Sequence, residues 1–337
     1  MKKKEAVLPM KIFFYALREF DELPHAERYS RELGVDFDYT TAYPSMENAH
    51  LAAGYDAVSC TPCDMGAALV EKFHSLGVKY LTTRSIGFDH VDLKTAKELG
   101  IRVSNVSYTP NGVANYAIMM MMMCLRRMPY IMKSAEVQDY SLRNKLGVDI
   151  CNCTIGVIGT GRIGATVIRH LSGFGCRMLA YDLYPNETVK QYAEYVDLDT
   201  LFAQSDVITL HAPATEANHH LICEDTIAKM KDGVCIVNTA RGKLIDTDAL
   251  IDGLRTGKVG SAALDVMEHE DGLYYSNRMY DVIDNPRMAI LRAFPNVILS
   301  PHTAFYTDED VSSMVGGNFR SLYNFENGLP DPHEIKL

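Results

Sequence analysis

Short apolar, β-branched runs alternate along this chain with longer stretches in which apolar residues recur at helical spacing. Up to about residue 105 the runs Lys11–Tyr15, Val35–Tyr39, Ala57–Ser59, Lys79–Thr82 and Arg102–Asn105 read as strands. Met65–Leu76 and Leu93–Leu99 read as helices between them. Strands separated by helices predict a parallel sheet covered on both faces. A long helical pattern follows over Pro110–Lys133, with Pro110 opening its first turn. Its pentamethionine run, Met119–Met123, is too short to span a bilayer and reads as a buried helix with adaptable side chains. A second series begins at Thr154–Ile158 and adds Arg177–Tyr181, Val207–Leu210, Val234–Asn238, Ala262–Asp265 and Val297–Ser300, a sheet of six strands. Asp308–Phe325 is helical again. The pattern predicts an α/β chain of two doubly wound parallel-sheet domains. One is discontinuous, 1–107 with 303–337; the other, 108–302, is inserted into it, and the cleft between two such domains is a common place for a ligand.

The most specific local signal is TIGVIGTGRIGATVIRHLSGFGCRMLAYD, residues 154–182. An apolar strand feeds Gly159-Thr160-Gly161-Arg162-Ile163-Gly164, an amphipathic helix follows, and a second strand ends at Asp182. In this context the three glycines predict a dinucleotide site. Gly159 serves the tight turn, Gly161 lets the backbone approach a pyrophosphate, and Gly164 lets helix and strand pack closely. The helix N-terminus adds N–H donors and a positive dipole end. Asp182 is placed to accept the adenosine ribose hydroxyls and would repel a 2′-phosphate, which favours NAD over NADP.

Composition narrows the partners. The length of 337 residues suits two domains, and 47% hydrophobic with 23% charged residues is ordinary for a globular chain. A net charge of −10 with no long basic run argues against nucleic acid or an anionic membrane surface as partner. The basic start MKKKEAVLPMKIFFYA runs straight into LREFDE, so no secretory signal is expected. The eight cysteines sit at irregular spacings, which fits free thiols in a reducing cytoplasm. Cys60-Thr-Pro-Cys63 has redox-motif spacing and Cys151-Asn-Cys153 is a close pair. Neither has the second ligand pair of a zinc site, so both read as buried or loop thiols. No His/Asp/Glu cluster has metal-ligand spacing, and no metal is expected.

Four polar residues follow strands of the second series: Arg241 in NTARGKLID, Asp265 at the end of its strand, Glu270 five residues later, and His302 in LSPHTAFYT. Ligands of open α/β sheets bind beyond the carboxyl ends of strands, so these residues should converge. The set suits redox chemistry on a 2-oxo acid. A guanidinium grips a carboxylate in two-pronged fashion. Hydride delivery to the carbonyl carbon builds negative charge on oxygen, which a histidine can protonate. A carboxylate beside that histidine favours the imidazolium.

On these segments, together with GVKYLTTRSIGFDHVD, NVSYTPNGVANYA, DVITLHAP and AALDVMEHE, the chain resembles the D-2-hydroxyacid dehydrogenase family. Within it the likeness is to D-lactate dehydrogenases, including the vancomycin-resistance type. The resemblance runs from about residue 78 to 320 and implies a flavodoxin-like substrate domain beside a Rossmann NAD domain. It gives His302 the proton donor's part, Glu270 that of its partner, and Arg241 the carboxylate grip and carbonyl polarisation. It implies substrate contacts from the amides of Ile86 and Gly87 and from Tyr108. Cofactor contacts are implied for Arg162, Ile163, Asp182, Ala212, Pro213, Asn218, Thr239, Ala240, Arg241 and Asp265, the last near the nicotinamide. Asn115 departs from the glutamate of many relatives. His211 reads as structural, and His219 and His220 as solvated. The resulting expectation is reduction of pyruvate to D-lactate with NADH. The alternatives are a bulkier 2-oxo acid (phenylpyruvate, 2-oxoisocaproate or 2-oxoglutarate) or, from another class, an NAD-sensing protein like the dehydrogenase-related corepressors. A homodimer is expected, with Pro110–Lys133 as contact surface.

Overall fold

The computed structural model describes residues 10–270 and 272–336; most of the basic N-terminal start lies outside them. The chain divides into two compact units. One takes the chain up to Thr109 and from Tyr306 onward, and the other is Pro110–Phe305.

The first unit is built on β1 (Lys11–Phe14), β2 (Asp36–Tyr39), β3 (Ala57–Cys60), β4 (Tyr80–Thr83) and β5 (Arg102–Ser104). All pair in parallel, in the order β2-β1-β3-β4-β5. Every residue of β3 is buried, as expected of a central parallel strand covered on both faces. One core gathers Phe13, Val58, Phe73 and Val103; the other gathers Phe14, Ala57, Phe319 and Leu322. The second includes helix Asp308–Glu326, which returns from the chain's end to pack on helix Leu23–Leu33. Arg84, just past β4, is buried and fully paired. It donates to Glu22 Oε1 at 2.8 Å, Ser59 Oγ at 2.9 Å, and the carbonyls of Tyr15 and Ala16 at 2.9 Å each. One guanidinium thus ties together the ends of β1 and β4 and the body of β3.

The second unit is a seven-stranded parallel sheet: β6 (Thr154–Ile158), β7 (Arg177–Tyr181), β8 (Glu194–Tyr195), β9 (Val207–Leu210), β10 (Val234–Asn238), β11 (Val259–Leu264) and β12 (Val297–Leu299). The order β12-β11-β10-β9-β6-β7-β8 places the reversal of strand sequence between β6 and β9, where an open sheet leaves a crevice at its carboxyl ends. Both faces carry a core, one including Ile208, Ile236 and Leu250, the other Val157, Val237 and the inner side of helix Asn111–Leu125.

Three expectations need correcting. The sheet has seven strands rather than six; β8 is only two residues long, too short for any alternation to show. The helical pattern over Pro110–Lys133 is two helices, Asn111–Leu125 and Met128–Glu136. Arg127 takes a left-handed φ of 53° between them, and Pro129, without an N–H, sits in the first turn of the second helix. The methionine run is also not wholly buried: Met120 and Met121 are, whereas Met119 and Met122 are exposed. Among the described residues no helix is long and apolar enough to cross a membrane.

The Arg84–Glu22 pair has no solvent access on either side chain. Removing one partner of such a pair strands a buried charge. Glu22→Ala is therefore expected to destabilise the protein by about 3–5 kcal/mol, read as a lower urea midpoint.

Candidate active site

The glycine turn begins where β6 ends. Gly159 has φ 94°, and a Cβ there would stand 2.7 Å from the backbone of His211 and Ala212. A Cβ on Gly164 would lie 1.9 Å from the Gly159 carbonyl oxygen, so helix Arg162–Leu171 can sit this close only on glycine. Gly161, at the helix N-cap, has open space where its Cβ would be. Asp182, just past β7, is already engaged. Its Oδ2 accepts from Thr160 N at 2.5 Å and Thr160 Oγ1 at 3.2 Å, and its Oδ1 accepts from Tyr184 N at 2.9 Å. Tyr195, on the strand that sequence reasoning missed, donates to Thr160 Oγ1 at 2.7 Å. The turn is thus latched from two neighbouring strands before any ligand arrives.

The other residues assigned to the cofactor also follow strand ends. Ala212 and Pro213 come after β9, and Asn218 folds their loop by accepting from Thr215 N at 2.7 Å and donating to the Pro213 carbonyl at 2.7 Å. Thr239 and Ala240 come after β10. The Thr239 hydroxyl is buried and has no hydrogen-bond partner among the described residues. An open glycine N-cap at a helix N-terminus and an orphaned hydroxyl at the switch crevice fit a bound dinucleotide.

Asp265, Glu270 and His302 are directly linked, and the loop that carries Arg241 leaves the sheet beside theirs. Asn238, Leu264 and Leu299 are cross-strand neighbours, so β10, β11 and β12 end level. Arg241, Asp265 and His302 follow within three residues of those ends. Gly242, next to Arg241, packs on the residues after β11: a Cβ there would lie 2.1 Å from the Met267 carbonyl carbon. Asn238 Nδ2 donates to the Arg241 carbonyl at 2.9 Å, fixing the loop that carries the guanidinium.

Asp265 is fully buried and organises the histidine loop. Its Oδ1 accepts from Ser300 Oγ at 2.6 Å and Thr303 N at 2.9 Å, its Oδ2 accepts from Ala304 N at 2.8 Å, and its carbonyl accepts from His302 N at 2.8 Å. These bonds hold His302 at φ 53°, a backbone conformation that costs a non-glycine residue on the order of 1 kcal/mol or more. His302 Nδ1 faces Glu270 Oε1 at 2.6 Å, while Glu270 Oε2 accepts from Met267 N at 2.7 Å. The carboxylate is fixed on one side by backbone, which aims its other oxygen at the imidazole. Nε2 is then the ring atom left for chemistry.

The sequence offers aromatic residues near this site, Tyr274, Tyr275 and Phe305 among them, without saying which rings face it. Tyr275 and Phe305 place their rings 6.2 and 6.5 Å from that of His302, and Tyr275 OH donates to the His302 carbonyl at 3.0 Å. Tyr274 is pushed well above the ordinary phenol range by burial and by the Glu270 and Asp265 carboxylates, so its hydroxyl stays protonated. His220, read as solvated, instead pairs with Glu268 Oε1 at 2.7 Å, and His219 stacks on it at 3.9 Å. His219, His220 and Glu268 offer ligand atoms within 4.8 Å of one another, a grouping that a separation of 48 residues in sequence concealed. Ile86, Gly87 and Tyr108 belong to the first unit. Ile86 and Gly87 lie in the loop after β4, where Asn105 Nδ2 holds the Ile86 carbonyl at 2.7 Å and Ser85 Oγ the Gly87 carbonyl at 2.6 Å. His170 Nδ1 donates to Asn115 Oδ1 at 2.8 Å, a helix-to-helix contact.

Residues 118–304 match the family model described as D-isomer specific 2-hydroxyacid dehydrogenase, NAD binding domain. An aromatic 2-oxoacid reductase of Clostridium sporogenes is 44% identical over 322 residues, 94% of this chain and 96% of that protein. A D-lactate dehydrogenase of Escherichia coli is 39% identical over 97% of this chain and its own full length. A solved structure of a Treponema pallidum D-lactate dehydrogenase superposes with a TM-score of 0.89 at 35% identity, covering 97% of this chain and 100% of that one.

His211, the first residue after β9, supplies a pH test. Burial pushes it from the ordinary 6.5 down to about 4, so the folded protein keeps it neutral. The unfolded chain binds that proton below about 6.5, and the stability it contributes is lost as pH falls from 6.5 through 4. His211→Gln should flatten this part of the urea-midpoint profile and leave the profile above pH 7 unchanged in slope.

Proposed function

The chain belongs to the D-isomer specific 2-hydroxyacid dehydrogenase family and is an NAD-dependent oxidoreductase; from that premise we propose that it reduces a 2-oxo acid to the D-2-hydroxy acid with His302 as proton donor. The 2.6 Å contact between His302 Nδ1 and Glu270 Oε1, at the level ends of the NAD-domain strands, carries the reading. Arg241 grips the carboxylate and draws electron density from the carbonyl. Bound NADH supplies the hydride to the carbonyl carbon. As charge grows on the oxygen, His302 Nε2 gives it a proton, and Glu270 fixes the ring's orientation. Asp265 acts through the loop it ties down. Ile86, Gly87 and Tyr108, in the first unit, are assigned substrate contacts on the family resemblance.

Pyruvate is the substrate expected from sequence, and the D-lactate dehydrogenase relatives support it. A second reading, an aromatic 2-oxo acid, is favoured by the 44% identity to an aromatic 2-oxoacid reductase and by the Tyr275 and Phe305 rings packed around His302. kcat/KM for pyruvate and phenylpyruvate, each with NADH and NADPH, decides between them. Higher kcat/KM for pyruvate supports D-lactate formation, higher kcat/KM for phenylpyruvate the aromatic reading, and no turnover of either overturns the proposal. His302→Ala should lose about 10²–10⁴-fold in kcat while NADH binding is kept.

We also propose a homodimer in the cytoplasm, a compartment that its free thiols support. Met119 and Met122 are exposed on helix Asn111–Leu125, and Val137, Tyr140, Leu142 and Leu146 are exposed along the segment beyond helix Met128–Glu136. An apolar surface of this kind is normally covered. Sedimentation at micromolar concentration should give twice the chain mass of 37.6 kDa, and Leu142→Glu with Leu146→Glu should shift it to the monomer.

A further inference from the structure

Three metal-ligating side chains outside the reaction centre converge from separate parts of the second unit. His219 and His220 follow the short helix Glu216–Asn218 beyond β9. His220 N donates to the Lys243 carbonyl at 3.0 Å, Ile222 N to the Leu244 carbonyl at 3.0 Å, and Asp246 N to the Ile222 carbonyl at 2.8 Å. The histidine segment thus runs as a short ladder beside the loop after β10, which fixes where His220 stands. Glu268 comes from the segment beyond β11. Its Oε2 accepts from Thr247 N at 3.1 Å and Thr247 Oγ1 at 2.7 Å, and its Oε1 meets His220 Nε2 at 2.7 Å. The other ring nitrogen of His220, Nδ1, faces Asp246 Oδ2 at 3.8 Å. The exposed His219 ring lies on that of His220, with centroids 3.9 Å apart. The ligand atoms of the three residues all lie within 4.8 Å of one another.

We propose that His219, His220 and Glu268 bind a divalent transition-metal ion of the zinc class. Two imidazoles and one carboxylate form a donor set that Zn²⁺ takes, with water in the fourth position. Mg²⁺ and Ca²⁺ prefer oxygen ligands alone and are poorly served here. Ligand atoms around a tetrahedral ion with bonds of about 2.1 Å stand about 3.4 Å apart. His220 Nε2 and Glu268 Oε1 must therefore part by about 0.7 Å from their 2.7 Å contact, the ion taking the place of the proton they share. His219, being exposed, turns its ring out of the stack by a change of rotamer, and its exposure leaves the fourth position open to water. The supporting groups are arranged as those of a metal site are. Thr247 holds the carboxylate by its far oxygen, and Asp246 stands at the far nitrogen of His220, where a carboxylate favours the tautomer that leaves Nε2 to bind. A bound ion clasps the loop after β9, next to Asn218, to the segment that leads from β11 to Glu270.

Co²⁺ is the probe, because its absorption spectrum separates nitrogen and oxygen ligands from sulfur, and the chain has free cysteines that also bind metals. The full chain should take up Co²⁺ with visible bands that lack a thiolate-to-cobalt component, and Zn²⁺ should displace it. His219→Gln changes an exposed side chain and should weaken that binding about tenfold or more, as should Glu268→Gln. No uptake, uptake through thiolates alone, or equal affinity in the unchanged protein and His219→Gln overturns the proposal and leaves His220 and Glu268 as an ion pair between two loops. Should Glu268→Gln fail to fold, His219→Gln still decides. Each readout is independent of turnover, so failure of the proposed reduction leaves this test intact.

Discussion

A carboxylate held against an imidazole is the contact on which the reaction centre depends. Glu270 Oε2 is spent on the Met267 amide, so Oε1 has one place to go, and it meets His302 Nδ1 at 2.6 Å. A histidine restrained on one nitrogen presents the other in a fixed direction and tautomer. The contact exists only because the His302 loop is forced into a conformation that the chain would not adopt alone. His302 sits at φ 53°, and Asp265 holds it there by accepting from Ser300, Thr303 and Ala304. Buried hydrogen bonds to a carboxylate are strong enough to offset a strained residue of this kind.

Sheet register supplies the rest. Because Asn238, Leu264 and Leu299 are level, the loops bearing Arg241, Asp265 with Glu270, and His302 leave the sheet side by side. Gly242 lets the arginine loop lie on the backbone at Met267, where any side chain would collide. The same sheet's strand order reverses between β6 and β9, where the glycine turn follows β6, and the buried Thr239 hydroxyl follows β10 two strands along. The glycine turn and the His302–Glu270 pair thus grow from the ends of one parallel sheet, which is the arrangement the proposed reduction needs.

Much of this was legible before any coordinates. Strand-forming runs separated by helices announced two parallel sheets, and Gly159 and Gly164 stand where their spacing after a strand calls for a residue without a side chain. The positions of Arg241, Glu270 and His302 after consecutive strands of the pattern were enough to suggest a shared crevice. Legibility ended where contacts span the sequence. Nothing near Asp265 announces that it binds Ser300 and Thr303, 35 and 38 residues away, or that His220 pairs with Glu268. β8 was too short to show a period, although its Tyr195 latches Thr160 in the glycine turn. The break at Arg127 was foreshadowed by Pro129, whose signal the surrounding apolar residues masked. Tyr274 and Tyr275 were visible as aromatic residues, but only the fold brings them against Glu270 and His302.

The most direct test is a double-mutant cycle on kcat with Glu270→Gln, His302→Asn and the pair of changes together. If the two side chains act as one unit, the double variant is about as slow as His302→Asn alone, because the glutamate has nothing left to support. If the two losses multiply instead, Glu270 and His302 act independently and the contact at the centre of this account does not do the work assigned to it.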